Sequence, residues 1–409
     1  MRSILASLAC WAGFVYCTLI PSVAVASAAT HEHGGPSKAP SQNPIAPKVF
    51  IISMFVDEGE AWFSVPKFNI LGQNITVPGL SPLFPQVHCT ADGDICLITT
   101  GEGEINAAVS ITSLTHSPHF DLTKTYFLIA GVAGISPKLG TIGSAAFARY
   151  AVQVGLQFEI DARQIPSNFT TGYVPQGARA PNQFPTEIYG TEVFELNDEL
   201  RQFAIKQAKT AKLFDDAGSQ AYRANYASSH AFAAGAAPPS IVACDTATSD
   251  QFWSGTLLAS AFENTTQLFT NGTGVYCTSQ QEDNATLEAL MRAALQNLVD
   301  FTRIVHMRTA SDFDREFPGQ TASDNLFFGL SGFTASINNL VNAGLPVVTG
   351  IVDGWQKTFE KGIKPKNYVG DIFGSLGGQP DFGPGSLFNG TKALTRRRLS
   401  RRFVDLKVQ

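Results

Sequence analysis

Charge is scarce in this chain, and basic charge is scarcer still. Only 15% of the 409 residues are Asp, Glu, Lys or Arg, and 29 Lys and Arg stand against 34 Asp and Glu, a net charge of −5. No basic stripe is present to neutralise phosphates, which argues against a nucleic-acid partner. The single basic cluster, from Arg396 to Arg402, reads as a solvated tail or a processing site. Long apolar runs are also missing beyond the first two dozen residues. No other segment approaches 18 unbroken apolar residues, so no membrane span is expected once the leader is removed. Histidine is sparse, seven in all. His31 and His33 lie one residue apart, but in a lead-in of small polar residues and prolines that reads as linker. No metal and no organic cofactor is expected.

What is present begins with a leader. Arg2 supplies a positive start, an apolar run extends from Ile4 to Ile20, and Pro21 and the small residues Ala24 to Ala28 offer a cleavage site. This is the pattern of a secretory signal over residues 1–26, followed by a flexible linker over 27–47. A secreted or cell-surface location follows. Six Asn-X-Ser/Thr sites agree with export: Asn74, Asn168, Asn264, Asn271, Asn284 and Asn389. Of the six cysteines, Cys10 and Cys17 leave with the leader. Cys89, Cys96, Cys244 and Cys277 remain, an even number suited to two bridges in an oxidising compartment. Thr90 to Asp94 reads as a turn that favours Cys89–Cys96, and Cys244–Cys277 would then follow, although spacing alone does not decide the pairing.

Apolar runs recur from Lys48 onward. Lys48–Met54, Ile95–Thr100, Tyr126–Val132, Ala145–Ile160, Ser240–Thr246 and Arg303–Thr309 read as strands, several of them apolar throughout as in strands buried on both faces. Helical periodicity marks Glu195–Lys212 and Ala285–Asp300. The alternation implies an α/β domain over 48–364 with helices on the faces of a sheet. Residues 163–190, rich in Pro, Gly, Asn and Gln, read as a surface insertion. The Gly- and Pro-rich, then basic, stretch 365–409 reads as a loose tail.

Four motifs follow predicted strands. Thr100 to Asn106 carries Gly101 and Gly103 in a strand-to-helix turn whose N–H groups could cradle a polar ligand edge. Ile129 to Ile135 carries Gly131 and Gly134, where a ligand could approach the backbone closely. Thr278 to Thr286 opens a helix with Glu282 and Asp283, a pair that helix-dipole stabilisation would also place there. Arg308 to Asp312 ends a strand, where Ser311 or Asp312 could equally cap a helix. All four lie at carboxyl ends of strands, the edge at which open α/β sheets bind ligands, and so could converge on one cleft.

In this order the motifs resemble the nucleoside phosphorylase superfamily over about residues 48–360, and most closely the purine nucleoside permease family. The resemblance rests on His88 to Asp94, on Thr100 to Ala108 and on Gln281 to Glu288, with the pair Ser311-Asp312 and Glu282 carrying the wider superfamily likeness. It implies a phosphorylase-like three-layer α/β fold, a mixed central sheet flanked by helices on both faces. It further implies that Asp312 protonates the purine N7 as the base leaves, that Glu282 accepts hydrogen bonds from the ribose 2′ and 3′ hydroxyls, and that Phe252 stacks on the base. Gly101, Gly131 and Asn284 would adjoin the ligand.

The resemblance leaves the nucleophile open. Phosphorylases of the hexameric type carry an Arg where this chain has Ile129, which weakens the case for phosphate. Nucleosidases hold a water with a Glu after the first strand and an Arg before the Ser-Asp pair. Glu58 and Arg308 fit those positions, with Glu60 a competitor to Glu58, while Val132 replaces the nucleosidase Ser. Hydrolysis of a purine nucleoside is therefore favoured, with phosphate the alternative co-substrate. A non-catalytic nucleoside-binding component of uptake is the competing reading. Assembly into a homo-oligomer rests on analogy alone. Asn284, two residues from Glu282, is expected to escape glycosylation.

Overall fold

The computed structural model describes residues 43–383. The expected leader, the His31 and His33 lead-in, Asn389 and the Arg396–Arg402 cluster lie outside the described residues. In chain order the strands are β1 (Val49–Ser53), β2 (Gln73–Thr76), β3 (Gln86–Cys89), β4 (Ile95–Thr99), β5 (Tyr126–Ile135), β6 (Ala145–Phe147), β7 (Tyr150–Gln153) and β8 (Gln157–Glu159). There follow β9 (Tyr173–Pro175), β10 (Val193–Glu195), β11 (Ile241–Ala243), β12 (Asp245–Thr248), β13 (Tyr276–Gln280), β14 (Ile304–Phe313) and β15 (Gly370–Asp371). The α-helices are α1 (Val56–Glu60), α2 (Glu104–Thr115), α3 (Asp198–Ala208), α4 (Ala217–Arg223), α5 (Ala233–Ala236), α6 (Thr256–Phe269), α7 (Asp283–Leu295), α8 (Ala322–Phe328) and α9 (Phe333–Asp353).

Thirteen strands form one mixed sheet in the order β15-β10-β7-β12-β13-β5-β1-β4-β3-β2, with β14 branching from β5, β6 pairing with β14 and β11 pairing with β6. β1, β4, β5 and β14 run parallel to their neighbours at the centre, whereas β13 meets only the end of β5, antiparallel at Gly134 and Ile135. Central strands alternate between two buried faces. Phe50, Ile52, Phe127 and Ile129 pack with Ile111 and Leu114 of α2 and Leu287, Leu290 and Met291 of α7. Val49, Ile51, Tyr126 and Leu128 pack on the other side with Leu200 and Ile205 of α3 and Leu340, Val347 and Ile351 of α9. Helices thus cover both faces, and the apolar-throughout strand pattern has its cause. Both bridges, Cys89–Cys96 and Cys244–Cys277, are present.

Several boundaries differ from the sequence reading, each for an identifiable reason. Ala145–Ile160 is three strands. The buried Asp245 carboxylate accepts the backbone N–H groups of Arg149 and Tyr150 at 2.9 and 2.8 Å, where the chain leaves β6 and enters β7 in another branch of the sheet. Ser240–Thr246 likewise divides into β11 and β12 at the bridged Cys244. The helix expected over Glu195–Lys212 starts later, because β10 takes Glu195 and Asn197 caps the helix by accepting the Leu200 N–H. α7 stops at Leu295 rather than Asp300. Asn297 adopts φ 58°, and the Asn297 and Leu298 N–H groups return to Ala294 and Ala293, a left-handed termination.

The expected loose tail is packed over residues 365–383. β15 pairs with β10, and Ile372 and Phe382 are fully buried. Its many glycines are turn positions that fold the segment back onto the sheet edge. Residues 163–190 mix exposed and packed positions: Asn168 is exposed, Val174 is buried, and Tyr173, Phe184 and Ile188 pack on a core cluster, with Tyr173–Pro175 entering the small β8–β9 sheet. One expectation needs correction: α9 is long and apolar enough by length and composition to cross a membrane. It contains Pro346, and Leu340, Ala343, Val347, Val348 and Ile351 are buried against the sheet, so its apolar face belongs to the core.

The buried Asp245 carboxylate also accepts the Val275 N–H at 2.7 Å, and so ties three backbone donors together, one buried and two part-buried. Asp245→Ala leaves all three without a partner and is expected to destabilise the protein by roughly 3 kcal/mol or more in chemical denaturation. An unchanged unfolding midpoint would show that the fork in the sheet does not depend on this carboxylate.

Candidate functional site

The carboxyl ends of β1, β4, β5, β13 and β14 surround a cavity of about 280 Å³, near the lower end of ordinary small-molecule pockets. Asp312, Glu282, Glu58, Arg308 and Phe252 all line it. The irregular register between Ala310 and Asp312 in β14 inserts one extra residue opposite β5, and both Ser311 and Asp312 thereby face the cavity. Ser311 Oγ donates to Asp312 Oδ1 at 2.7 Å. Burial pushes the Asp312 carboxyl up to about 6, Ser311 pulls against that, and the nearby Asp314 adds to it.

Glu58 enters from the first turn of α1. Its Oε2 accepts the Met54 N–H at 2.7 Å and its Oε1 accepts the Val132 N–H at 2.6 Å. Burial pushes it up to about 8 despite the pull of Arg308. Glu60 is exposed on the far side of the same turn, so the fold resolves the ambiguity between the two in favour of Glu58 as the cavity residue. Glu282 stands at the start of α7. It accepts the Gly103 N–H at 3.1 Å and a hydrogen bond from Arg308 Nη2 at 3.0 Å. Burial raises it and Arg308 opposes the rise.

Arg308 is buried at the cavity floor. Its Nη1 donates to the Val132 carbonyl at 2.8 Å, and its Nη2 donates to Asp283 Oδ1 at 2.6 Å as well as to Glu282. Its Nε donates to Asp283 Oδ2 at 3.3 Å. His306, two residues earlier on the same face of β14, bonds Asp283 Oδ2 through Nε2. Burial alone would raise Asp283, but Arg308 and then His306 outweigh it and hold the carboxyl at about 2. Among the described residues no group of three His, Cys, Asp or Glu side chains is arranged to hold a metal ion.

The remaining site residues expected from sequence support the cavity without lining it. A Cβ on Gly131 would sit 2.6 Å from Arg308 Nη1 and 2.7 Å from Glu58 Oε1, so the missing side chain is what lets those two groups close over the strand. Gly101 and Gly103 adopt φ 87° and 85°, which turns the Gly103 N–H toward Glu282. Asn284 is corrected outright. It is buried behind the cavity, accepting from Thr248 Oγ1 at 2.6 Å and donating to the Thr191 carbonyl at 2.7 Å. Phe252 is 55% exposed at the cavity mouth, beside the nearly buried Trp253.

Sequence reasoning missed Gln280 and Asp283 as parts of the site, and Phe333, Met54 and Ser279 as lining residues. Asp283 was visible as a carboxylate beside Glu282. Only the pairing of α7 with β14 reveals that His306 and Arg308, at a spacing of two on a strand, meet it.

The whole α/β region, residues 46–364, matches the family model described as purine nucleoside permease. The chain belongs to the purine nucleoside permease family. It is 48% identical over 345 residues to a purine nucleoside permease of Candida albicans, covering 82% of this chain and 83% of that protein. It is 44% identical over 319 residues to a probable purine nucleoside permease of Schizosaccharomyces pombe, covering 76% and 90%. Among solved structures, a 5′-methylthioadenosine/S-adenosylhomocysteine nucleosidase from Neisseria meningitidis is similar over 75% of this chain and 99% of that one, with 15% identity and a TM-score of 0.43. Futalosine hydrolase of Helicobacter pylori is similar over 75% and 97%, with 16% identity and a TM-score of 0.42.

Asn284 carries a sequon but has its amide nitrogen already bonded inside the protein, and a glycan has no space there. Peptide mass spectrometry of the protein from a eukaryotic secretory host is expected to find Asn284 unmodified and the exposed Asn168 accessible to modification. A full glycan at Asn284 would contradict the packing of α7.

Proposed function

We propose that the cavity binds a purine nucleoside and cleaves its N-glycosidic bond, with water as the acceptor. The observation that carries this reading is that Asp312, whose carboxyl burial raises to about 6, and the carboxylate of Glu282 line one cavity. A purine leaves poorly as an anion. Asp312 donates a proton to N7 as the bond between C1′ and N9 breaks, so the base departs neutral. Glu282 accepts hydrogen bonds from the ribose 2′ and 3′ hydroxyls, and its charge favours the cationic sugar of the transition state. Phe252, exposed at the mouth, covers the base. Water adds to C1′, and Glu58 takes its proton.

The electrostatics favour water over phosphate. Among the described residues that line the cavity, Arg308 is the single cation, and its Nε, Nη1 and Nη2 already donate to protein oxygens. Phosphate would enter beside the Glu58 and Glu282 carboxylates and face a guanidinium with four of its five N–H donors already committed to protein oxygens. The two disulfides fit an oxidising compartment, and with the sequons they support a secreted or cell-surface protein. The names of the relatives favour a second reading, a nucleoside-binding component of uptake that performs no chemistry.

Incubation of the purified protein with inosine or adenosine, with and without phosphate, separates these readings. Free base released without phosphate is the expected result. Ribose 1-phosphate would indicate phosphorolysis, and bound but intact nucleoside would indicate the uptake reading. Asp312→Asn is expected to lower kcat by on the order of 10²- to 10⁴-fold while changing nucleoside affinity far less. Normal turnover in that variant would remove Asp312 from the chemistry.

The pH dependence is fixed by two groups. Cleavage requires Glu58 ionised and Asp312 protonated, so kcat/KM rises with pH on the acid limb as Glu58 is unmasked and falls on the alkaline limb as Asp312 loses its proton. Asp312 at about 6 and Glu58 at about 8 stand in the reverse of the required order, so the productive form, with Asp312 protonated and Glu58 ionised, is a minor fraction of the enzyme, and the profile is a bell with its maximum between those two values. A profile flat across that window would contradict the assignment of the pair.

A further inference from the structure

Glu282 stands at the N-cap position of α7, yet its side chain makes no capping hydrogen bond. A short polar residue at an N-cap, Asp, Asn, Ser or Thr, ordinarily turns its oxygen onto the N2 or N3 N–H of its own helix, a role for which the longer Glu is poorly suited. A carboxylate so engaged would face its helix, away from any ligand. Here the Glu282 carboxylate points the other way, toward Gly103 and Arg308 at the cavity wall.

The first two N–H groups of the helix start are taken by another residue. Gln280 Oε1 accepts the backbone N–H groups of both Glu282 and Asp283, each at 2.9 Å. The Gln280 amide is itself fixed from behind. Its Nε2 donates to Thr248 Oγ1 at 2.7 Å, to Thr246 Oγ1 at 3.2 Å and to the Ala247 carbonyl at 3.3 Å, a set of acceptors that fixes which end of the amide faces the helix. Thr248 in turn donates to Asn284 Oδ1, on the second residue of α7. Gln280 is 7% exposed, and β12, β13 and α7 all meet at its amide.

We propose that Gln280 is a positioning residue that caps α7 in place of Glu282 and so leaves the Glu282 carboxylate free to hold the ligand. The inference rests on the reading of Glu282 as the sugar-holding group. Without Gln280 the Glu282 and Asp283 N–H groups lose their acceptor, and a Glu282 carboxylate drawn back toward the helix start would leave the cavity wall. Asn284, first expected at the ligand, then has its function here: it anchors Thr248 and through it Gln280.

A double-mutant cycle tests this, with Asp312→Asn as the background so that bound nucleoside stays intact. Inosine affinity is measured by ligand-observed NMR, which reaches millimolar dissociation constants. Gln280→Ala is expected to weaken inosine binding by roughly five- to tenfold, the scale of a lost helix cap. In protein that also carries Glu282→Ala, the same substitution is expected to change affinity by less than about twofold, since no carboxylate remains to be misplaced. An equal loss in both backgrounds overturns the inference, because Gln280 would then act on the ligand directly or only on the fold. If Gln280→Ala does not fold, Thr248→Val, which removes the hydroxyl that holds the Gln280 amide, goes through the same cycle and is judged by the same two outcomes. An Asp312→Asn protein that binds neither inosine nor adenosine overturns the functional reading, and this inference with it. Binding that is retained while Gln280→Ala has the same effect with and without Glu282 overturns the inference alone.

Discussion

A single buried guanidinium holds the site together. Arg308 lies among Asp283, Glu282 and Glu58, and it cannot neutralise all three. Asp283 takes the largest share through two oxygens and stays ionised, helped by His306. Glu282 and Glu58 are left with less than a full counter-charge, and burial raises both. A buried ion pair of this kind adds little net stability, because desolvation offsets most of the attraction. Its consequence is chemical: the carboxylates that line the cavity hold their protons unequally, which is what acid–base work on a bound ligand requires.

The fold produces this arrangement by bringing strand ends together. β5 is long enough to pair with β1 and β14 along its body and with β13 at its tip. The loops after β1, β4, β5 and β13 and the bulged end of β14 therefore open on one cavity. The small residues at the tip of β5 are needed for closeness, since Gly131 lies against Arg308 and Glu58, and Gly134 against Ser279 and Asp312. The bulge in β14 is as important as the glycines. In an unbroken strand Ser311 and Asp312 would point to opposite faces.

Much of this was legible in the residues. The apolar runs Lys48–Met54, Ile95–Thr100 and Tyr126–Val132 pointed to a sheet covered on both sides, and the four polar motifs at strand ends pointed to a cleft. Glu58, Glu282, Arg308, Asp312 and Phe252 line one cavity. What was not legible depended on tertiary partners. Nothing local in Ala145–Ile160 signals that a carboxylate about a hundred residues away breaks the strand. Asn284 carries a glycosylation pattern and sits beside a site residue, yet its direction on α7 turns it inward to Thr248 and Thr191. Asp283 resembles a residue chosen for the helix dipole until His306 and Arg308 are seen to face it. The packing of residues 365–383 was hidden by composition, because Gly and Pro are as suited to turns that fold back on a sheet edge as to loose chain.

The roles assigned to Asp312 and Glu282 require a ligand that touches both. The most direct measurement is a crystal structure of the Asp312→Asn protein soaked with inosine. The expected result is a nucleoside in the cavity with the base N7 at hydrogen-bonding distance from residue 312 and the ribose 2′ and 3′ hydroxyls on Glu282. A nucleoside bound elsewhere, or held in the cavity with the sugar turned away from Glu282, would contradict the account.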